Sequence, residues 1–423
     1  MREMKDSGTE WVGAIPQDWQ LSKIGSLYTQ RNEKVSDKDY QPLSVTMQGI
    51  LPQLATAAKT DDGYNRKLVR VGDFAINSRS DRRGSCGISP LDGSVSLINI
   101  ILTPRTAMHP GYYNWLFHTT LFADEFYKWG HGIVADLWTT RWQEMKSITV
   151  PVPKYAEQER IAAFLDAECA EIDAVLEKTR ASIEEYKKLK QAVITQAVTK
   201  GIRGDRPMKD SGIEWIGDIP AEWEIRKIFR AINKVGDIDH YMPDSVDDGI
   251  PYLMTGDLQE KLSDVNLKRC KKVSFQDYEM LSSKIRVSKG DVIFARYATI
   301  GTVCFVDTED NILVSYACLI IKPNSSLLYG EFLFYYLKST AFLEEIKQYI
   351  KANTQANVGL DSVSKAKIAL PSVHEQQKIV EYLCDKCKKI DALIAKKQQY
   401  ITEIENYKKS LIYEYVTGKK EVV

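Results

Sequence analysis

The stretch that decides the fold occurs twice: Met4 to Trp19 reads MKDSGTEWVGAIPQDW, and Met208 to Trp223 reads MKDSGIEWIGDIPAEW. Thirteen of the sixteen positions carry the same residue or a close relative, at a constant shift of 208 − 4 = 204. Unrelated segments do not match this densely by chance. The chain is therefore an internal duplication, and we expect each copy to fold into an equivalent unit.

A second pair of matching segments lies later in each copy. Glu157-Gln158 returns as Glu375-Gln376, a shift of 375 − 157 = 218. The same shift holds without a gap to Val198-Thr199, which matches Val416-Thr417. Two long units thus follow each other, and we expect whatever one unit does to be done a second time by the other.

The last part of each copy has the composition of one long helix. From Glu157 to about Lys200 there is no proline and no glycine, and good helix formers dominate. Apolar residues recur at alternating spacings of four and three, which predicts a coiled-coil seam. The seam positions are Ile172, Leu176, Thr179, Ile183, Tyr186, Lys190, Val193 and Ala197 in the first copy, and Ile390, Ile394, Lys397, Ile401, Ile404, Lys408, Leu411 and Tyr415 in the second.

The polar seam residues are expected to fix the register of the pairing at some cost in stability. Because one chain carries both helices, we expect them to pack on each other. A pseudo-twofold relation of the two halves would make the pair antiparallel, with a domain at either end. The predicted class is α+β, with residues 1–151 and 206–371 forming two mixed α/β domains and residues 152–205 and 372–423 forming the long helices.

Short β-rich runs and turn signals fill the region ahead of each helix. The turn Val71-Gly72-Asp73 has a counterpart in Lys289-Gly290-Asp291 at the shift of 218, whereas the central stretches diverge almost completely. Aromatic helical stretches, Tyr112 to Lys128 and Glu331 to Tyr349, precede a closing strand in each copy, and their rings are expected to pack in the core. Shared ends with unlike middles predict one fold that serves two specificities.

Composition sets the class of protein. The chain has 423 residues, 44% of them hydrophobic and 27% charged, as in soluble globular proteins. No run approaches the roughly 18 apolar residues of a membrane span, so we expect a cytoplasmic protein without a membrane partner. The seven scattered cysteines fit reduced thiols, and Cys384 and Cys387 fit one face of a helix better than a metal site. Since the formal net charge is zero, any site for a polyanion must be local.

Together these features resemble the specificity subunit of type I restriction-modification systems. The likeness is carried by the doubled MKDSG-x-EW-x-G-x-IP-xx-W string, the two Gly-Asp turns, the closing strands ending at Pro151 and Pro371, and the EQ-x-(R/K)-I helix starts at Glu157 and Glu375. It covers nearly the whole chain in the right order.

The resemblance implies a protein without catalysis that contains two target-recognition domains. Each domain would read one half of a split, asymmetric sequence in double-stranded DNA, and the paired helices would set the unread gap. Members of this family dock two methyltransferase subunits, and restriction subunits can join the assembly. S-adenosylmethionine, ATP and Mg²⁺ would then belong to those partners, with no cofactor in this chain.

The residues themselves argue against catalysis. The chain lacks the Pro-Pro of amino-methyltransferase motifs and has no GxxxxGK[ST] phosphate loop, and nothing completes a nuclease motif after Pro243-Asp244. A different class stays open: a coiled-coil adaptor that binds only proteins would also combine two domains with a rod. Local basic density favours DNA, since residues 260–296 hold nine Lys and Arg against five Asp and Glu.

Candidate DNA contacts follow from side-chain chemistry. Arginine reads guanine and the amides read adenine in the major groove, while lysine and hydroxyl groups mostly hold phosphates. The candidates lie in the loops after the Gly-Asp strands and ahead of the closing strands. They are Arg79, Arg82, Arg83 and His131 in the first domain, and Arg296, Tyr297, Lys351, Asn353, Thr354, Gln355 and Asn357 in the second.

Overall fold

The structure is a computed structural model that describes residues 2–53, 63–132, 138–297, 299–349 and 358–422. The chain forms two compact units. The first comprises Met1–Arg180 and Gln398–Val423, and the second comprises Ala181–Lys397. Each unit therefore contains one mixed domain together with parts of both long helices.

The first unit consists of short strands and helices followed by a long helix. Its strands are β1 (Met4–Asp6), β2 (Ala14–Pro16), β3 (Gln20–Lys23), β4 (Tyr28–Arg31), β5 (Lys34–Val35), β6 (Leu43–Thr46), β7 (Gly49–Pro52), β8 (Arg66–Val69), β9 (Phe74–Asn77), β10 (Cys86–Ile88), β11 (Gly93–Val95), β12 (Asn99–Pro104) and β13 (Thr149–Val152). Its helices are α1 (Ile24–Leu27), α2 (Pro110–Phe117), α3 (Thr120–Lys128), α4 (Trp142–Met145) and the start of α5 (Tyr155–Lys200).

The second unit continues from α5. Its strands are β14 (Met208–Asp210), β15 (Asp218–Pro220), β16 (Glu224–Lys227), β17 (Ile232–Gly236), β18 (Ile250–Leu253), β19 (Lys271–Val273), β20 (Val292–Ala295), β21 (Val303–Phe305), β22 (Leu313–Val314), β23 (Cys318–Pro323) and β24 (Lys367–Leu370). Its helices are α6 (Phe275–Ser282), α7 (Gly330–Lys338), α8 (Thr340–Lys347), α9 (Leu360–Lys365) and the larger part of α10 (Val373–Val416).

The two units share one scaffold. A four-stranded antiparallel sheet has the order β10-β9-β12-β4 in the first unit and β21-β20-β23-β17 in the second, so each strand has a counterpart at the same place. In both, the third strand of the unit also pairs with its last strand, β3 with β13 and β16 with β24. The repeated sequence segments thus build the repeated framework.

The central parts of the two units differ. In the first unit β8 lies between β11 and β5 and is antiparallel to both. In the second, β18 is antiparallel to β19 and parallel to β22. These strands come from the divergent middles of the sequence. The prediction of a common fold with unlike inserted segments therefore agrees with the strand pairing.

The long helices are confirmed and pack antiparallel within each unit. In the first unit, Phe164 of α5 packs on Tyr415 of α10, and Arg180 further along α5 bonds Glu405 earlier in α10. In the second unit Lys397 of α10 lies over the ring of Tyr186 in α5, while the later Lys190 bonds the earlier Asp391. As residue numbers rise in one helix, those of its partner fall.

Each predicted aromatic helical stretch is broken into two helices. The break falls at Thr119 in the first unit and at Ser339 in the second, where the side-chain hydroxyl accepts a hydrogen bond from the backbone N–H of Phe122 or Phe342. A hydroxyl that caps a new helix satisfies a backbone donor at its N-terminus. Both predicted stretches are therefore helical, with one capped break that the sequence did not predict.

Each unit has its own apolar core. In the first, Trp11 and Trp19 of the repeated string are buried with Tyr113 and Phe117 of α2. In the second, Trp223 is buried with Phe332, Phe334 and Tyr336 of α7, and Trp215 packs partly buried against this core. The conserved spacing of these aromatics in the two copies reflects core packing.

Candidate nucleic-acid interface

The Gly-Asp turns position the ends of the central strands. Gly72 and Gly290 have φ of +87° and +91°, a conformation that favours glycine. The following carboxylate closes the turn: Asp73 accepts from the backbone N–H of Arg70 at 2.9 Å, and Asp291 accepts from that of Ser288 at 2.8 Å.

A cation from another strand of the same sheet completes each turn. The guanidinium of Arg31 donates to Asp73 at 2.8 Å, and the ammonium of Lys322 donates to Asp291 at 2.5 Å. Burial raises the pKa of Asp291, although its bond to Lys322 acts in the opposite direction. The repeated motif is therefore architectural, and it fixes where the chain enters β9 and β20.

Two candidate strips of the first unit meet beyond the end of β9. Thr139 forms isolated β-bridges with both Arg79 and His131. The backbone N–H of His131 donates to the Thr139 carbonyl at 3.2 Å, and that of Ser80 donates to the Trp138 carbonyl at 2.9 Å. The sequence predicts the arginine loop and His131 as separate strips, and the structure places them side by side.

Two charged pairs of this surface expose the basic side chain more than the acidic one. The side chain of Arg82 is 69% exposed and that of its neighbour Asp81 is 42% exposed. Lys128 is 62% exposed, whereas its partner Glu125 is only 15% exposed. Arg83 pairs with Asp124, and both are half-exposed. We refer to Arg79, Arg82, Arg83, Lys128 and His131 as the first basic surface.

In the second unit Arg296 turns inward. Its guanidinium donates to Asp237 Oδ2 at 2.6 Å and to the Tyr316 carbonyl at 3.3 Å, and its side chain is 14% exposed. It also lies 5.0 Å from the ring centre of Tyr297. A guanidinium held this way braces the surrounding loops, so we expect Arg296 to position them rather than to reach a base.

The other candidates of the second unit lie in the polar loop ahead of α9. Lys351, Asn353, Thr354, Gln355 and Asn357 fall outside the described residues. The next residue, Val358, donates its backbone N–H to the Arg296 carbonyl at 3.1 Å. Val358, which follows the loop, is thus bonded to the residue after β20. In the first unit the backbone N–H of Thr140 likewise donates to the carbonyl of Ser78, the residue after β9, at 3.0 Å.

A basic depression in the second unit was not found by sequence reasoning. Four basic side chains and three serines line a shallow space of about 440 Å³: Lys234, Lys284, Arg286, Lys322, Ser282, Ser283 and Ser288. Lys234 and Lys322 are direct cross-strand partners on β17 and β23. A sequence without strand register could not show that these two lysines meet.

The depression adjoins the Arg296 brace. Lys284 bonds Asp237 at 3.2 Å, and Asp237 is the carboxylate that holds Arg296. We call Lys234, Lys284, Arg286 and Lys322 the second basic surface. In the first unit Thr29 and Thr103 pair at the place of Lys234 and Lys322, so the two surfaces are chemically different.

Each unit clamps its repeated string to the start of a long helix. Glu157 accepts from Trp19 Nε1 at 2.9 Å and pairs with Arg2. Glu375 accepts from Trp223 Nε1 at 3.0 Å and pairs with Arg206 at 2.6 Å. The same three residue types, Glu, Trp and Arg, form the cluster in each unit, so the junction between domain and helix is built alike in both.

Polar seam residues also find partners within each unit. Lys408 bonds Asp173 at 2.6 and 2.7 Å in the first unit, and Lys190 bonds Asp391 at 2.9 and 2.8 Å in the second. These two pairs are equivalent, since 408 − 190 and 391 − 173 both equal 218. In the second unit Glu260 joins as well, bonding both Lys190 and Lys338.

Among the described residues, no group of three or more His, Cys, Asp or Glu side chains has a geometry that could hold a metal ion. In the same part of the chain, every helix is too short or too polar to span a membrane. Cys384 and Cys387 lie on one face of α10 as predicted, with Cys387 buried.

Comparisons with known proteins agree with this geometry. Residues 220–406 match the family model described as the type I restriction modification DNA specificity domain. The chain is 24% identical over 431 residues to the type I restriction enzyme MjaVIII specificity subunit of Methanocaldococcus jannaschii, covering 96% of this chain and 94% of that protein. It is 22% identical over 282 residues to the EcoBI specificity subunit of Escherichia coli, covering 65% of this chain and 59% of that protein.

A solved structure shows the same fold. It comes from work on complex assembly and conformational transition of the type I R-M system, and its chain superposes with a TM-score of 0.72 at 14% identity. The match covers 96% of this chain and 99% of the other. The fold of two mixed domains with two long helices therefore has a full-length counterpart.

Proposed function

Because this chain belongs to the specificity subunits of type I restriction-modification systems, we propose that it reads a bipartite DNA target and performs no catalysis itself. The observation that carries the proposal is the repeated four-stranded sheet, which presents unlike segments in the two units. One scaffold with two different reading surfaces is what a split, asymmetric target requires. Each unit would read one half-site.

The basic surfaces support a role in holding DNA. Basic side chains neutralise phosphates and give a salt-dependent affinity, whereas base edges provide the sequence information. In the first unit Arg79, Arg82 and Arg83 would reach the major groove, with His131 beside them. In the second unit the basic depression would hold the backbone while the amides of the polar loop read bases.

Methylation mapping tests this assignment. The chain would be expressed with its cognate methyltransferase subunits, and methylated adenines in the host DNA would be sequenced. We expect one split motif with a fixed gap, and Arg82→Ala should relax the choice of bases in one half only. Methylation without a common motif, or loss of choice in both halves at once, would contradict the proposal.

The amides of the polar loop give a second test. Replacing Asn353 or Gln355 by Ala should lower discrimination at the other half-site by roughly 1 to 3 kcal/mol for each lost bidentate pair. The measurement is the methylation rate on a panel of targets that vary at single positions. Equal losses on every target would indicate a phosphate contact instead.

The long antiparallel helices support a role as a spacer. One helical turn added near Glu177 in α5, with a matching turn near Glu405 in α10, should lengthen the pair by about 5.4 Å, or one to two base pairs. We expect the gap in the methylated motif to change while both half-sites stay as they are. An unchanged gap would refute the spacer role.

The exposed faces of the helices are the proposed docking surface for two methyltransferase subunits, with restriction subunits joining the assembly. Each helix exposes large apolar side chains at equivalent places in the repeat: Val175 and Leu189 in α5, and Leu393 and Tyr407 in α10. Cofactors, namely S-adenosylmethionine, ATP and Mg²⁺, would be bound by those partners.

Co-purification tests the docking surface. Leu393→Asp should weaken retention of the methyltransferase on the tagged chain, while Lys396→Asp on the same helix serves as the control for an added charge. Equal retention of both variants would place the docking surface elsewhere.

A further inference from the structure

Two tryptophans of the first unit are exposed. The chain has eight tryptophans, and six of them are buried or half-buried. Trp129 is 47% exposed and Trp138 is 40% exposed. Two exposed indoles leave apolar surface in water, and burying that surface against a partner would contribute favourable binding free energy.

Both indoles lie beside the first basic surface. The pairing of His131 with Thr139 brings the chain around Trp129 next to the chain around Trp138. A Cβ placed on the intervening Gly130 would lie 3.3 Å from Cβ of Trp138, which shows how closely the two segments approach. The Trp138 carbonyl in turn accepts from Ser80 of the arginine loop.

We propose that Trp129 and Trp138 form an apolar contact surface for base edges and sugars of the half-site that the first unit reads. This inference rests on the proposed DNA-recognition function and adds specific residues to it. Trp129 Nε1 already donates to Glu125 Oε1 at 3.0 Å, so its hydrogen-bonding group is satisfied and the ring face is left for contact.

Charge complementarity identifies the occupant as duplex DNA. Two of the surrounding pairs, Arg82–Asp81 and Lys128–Glu125, expose the basic side chain more than the carboxylate, so these cations are available to a polyanion. Phosphates alone would gain nothing from indole rings. DNA combines negative charge with apolar groups, such as the thymine methyl in the major groove, which aromatic side chains contact.

The second unit has a related feature. Helix α8 corresponds to α3, and the exposed Tyr349 follows it as Trp129 follows α3. An exposed aromatic therefore stands at the start of the polar loop in each unit, although the two copies have diverged in sequence here.

Fluorescence quenching tests the proposal on the full chain. Because Trp129 and Trp138 are the most exposed tryptophans, acrylamide should quench these two indoles more strongly than the other six. A duplex carrying the methylated motif should reduce that quenching in the wild type. The Trp129→Phe, Trp138→Phe double variant should show no protection. The control Trp115→Phe, which changes a partly buried indole that bonds Asp166, should keep it.

A methylation panel supplies the second readout. Trp138→Ala should lower discrimination on the order of tenfold at one or more positions of a single half-site, as expected for a lost base contact. The other half-site should be read as in the wild type. Uniform loss across all targets would overturn a role in base contact.

The outcomes separate this inference from the function on which it rests. Binding is measured independently by the anisotropy of a labelled duplex. If the duplex binds but quenching is unchanged, the aromatic contact is wrong and DNA recognition stands. Protection by the methyltransferase subunit alone would assign the two indoles to a protein interface, which also overturns the proposal. Absence of any duplex binding would overturn both.

Discussion

At the scale of single residues, the glutamate in the first turn of each long helix should contribute strongly to stability. Glu375 accepts from Trp223 and pairs with Arg206, whose side chain is only 7% exposed. Arg2, the equivalent cation in the first unit, is 21% exposed. Removing the carboxylate leaves a poorly hydrated guanidinium and an unpaired indole N–H, both of which are costly when buried.

Glu375→Ala should therefore lower the free energy of unfolding by about 2 to 4 kcal/mol. Glu157→Ala should cost less, because water reaches Arg2 more easily than Arg206. Urea denaturation followed by circular dichroism measures both, with the exposed Glu159→Ala as the control. If Glu159→Ala lowers the free energy of unfolding as much as Glu375→Ala does, the cluster makes no specific contribution to stability.

Glu345 of α8 gives a prediction of pH dependence. It is buried, accepts from the backbone N–H of Lys367 at 2.9 Å, and burial raises its pKa above the usual value for a glutamate. A raised carboxyl pKa means that the folded state prefers the protonated form. The contribution to stability is then fully present below the unfolded pKa and is lost as pH rises through the folded pKa.

The variant Glu345→Gln removes the charge. At neutral pH its free energy of unfolding, relative to that of the wild type, should therefore be at its highest. As pH falls through the raised pKa of Glu345, the wild type protonates and the relative advantage of the variant should disappear. Urea denaturation at several pH values gives the difference in unfolding free energy. A difference that does not change with pH would contradict the prediction.

At the scale of elements, the long helices carry their own register signal. An apolar seam alone allows sliding, since each turn resembles the next. The equivalent pairs Lys408–Asp173 and Lys190–Asp391 each join α5 to α10 at one register. Sequence analysis identified both lysines as polar interruptions of the seam, and the structure supplies the carboxylates that pair with them.

A double-mutant cycle on Lys408 and Asp173 should give a coupling of about 0.5 to 1 kcal/mol, because Asp173 is exposed and solvent screens the pair. The charge-swapped variant, Lys408→Asp with Asp173→Lys, should recover part of the stability lost by either single change. The control is the exposed pair Lys187 and Glu184 within α5, whose coupling should be a few tenths of a kcal/mol. Equal coupling in both cycles would argue against a role in register.

The elements also show how far sequence reasoning reaches. The long helices and repeated strands were predictable because periodicity and a second copy report them directly. The break at Thr119 was not predictable, because a threonine hydroxyl can either cap a new helix or lie within a continuous one, and the sequence does not distinguish the two. The meeting of Lys234 with Lys322 depends on strand register, and the inward turn of Arg296 depends on Asp237 from a distant segment. Neither contact is local in sequence.

At the scale of the whole molecule, the duplication separates what is kept from what has changed. The kept parts are the four-stranded sheet, the Gly-Asp turns, the buried tryptophans and the glutamate at each helix start. The changed parts are the middle strands and the two basic surfaces. Each unit has its own core, so a change on one reading surface does not need to disturb the other.

The two surfaces should therefore contribute independently to DNA binding. We expect the loss of binding free energy in the double variant Arg82→Ala, Lys234→Ala to equal the sum of the two single losses within about 0.5 kcal/mol. Lys234→Ala should also reduce the slope of log affinity against log salt by about one, as for a lost phosphate contact. Anisotropy of a labelled target duplex at several salt concentrations measures both quantities.

As the matched control, Arg82→Ala with Arg83→Ala changes neighbours on one surface, and there we expect the losses to deviate from the sum. If instead the pair from different units deviates and the neighbouring pair does not, the two units do not read DNA as separate modules.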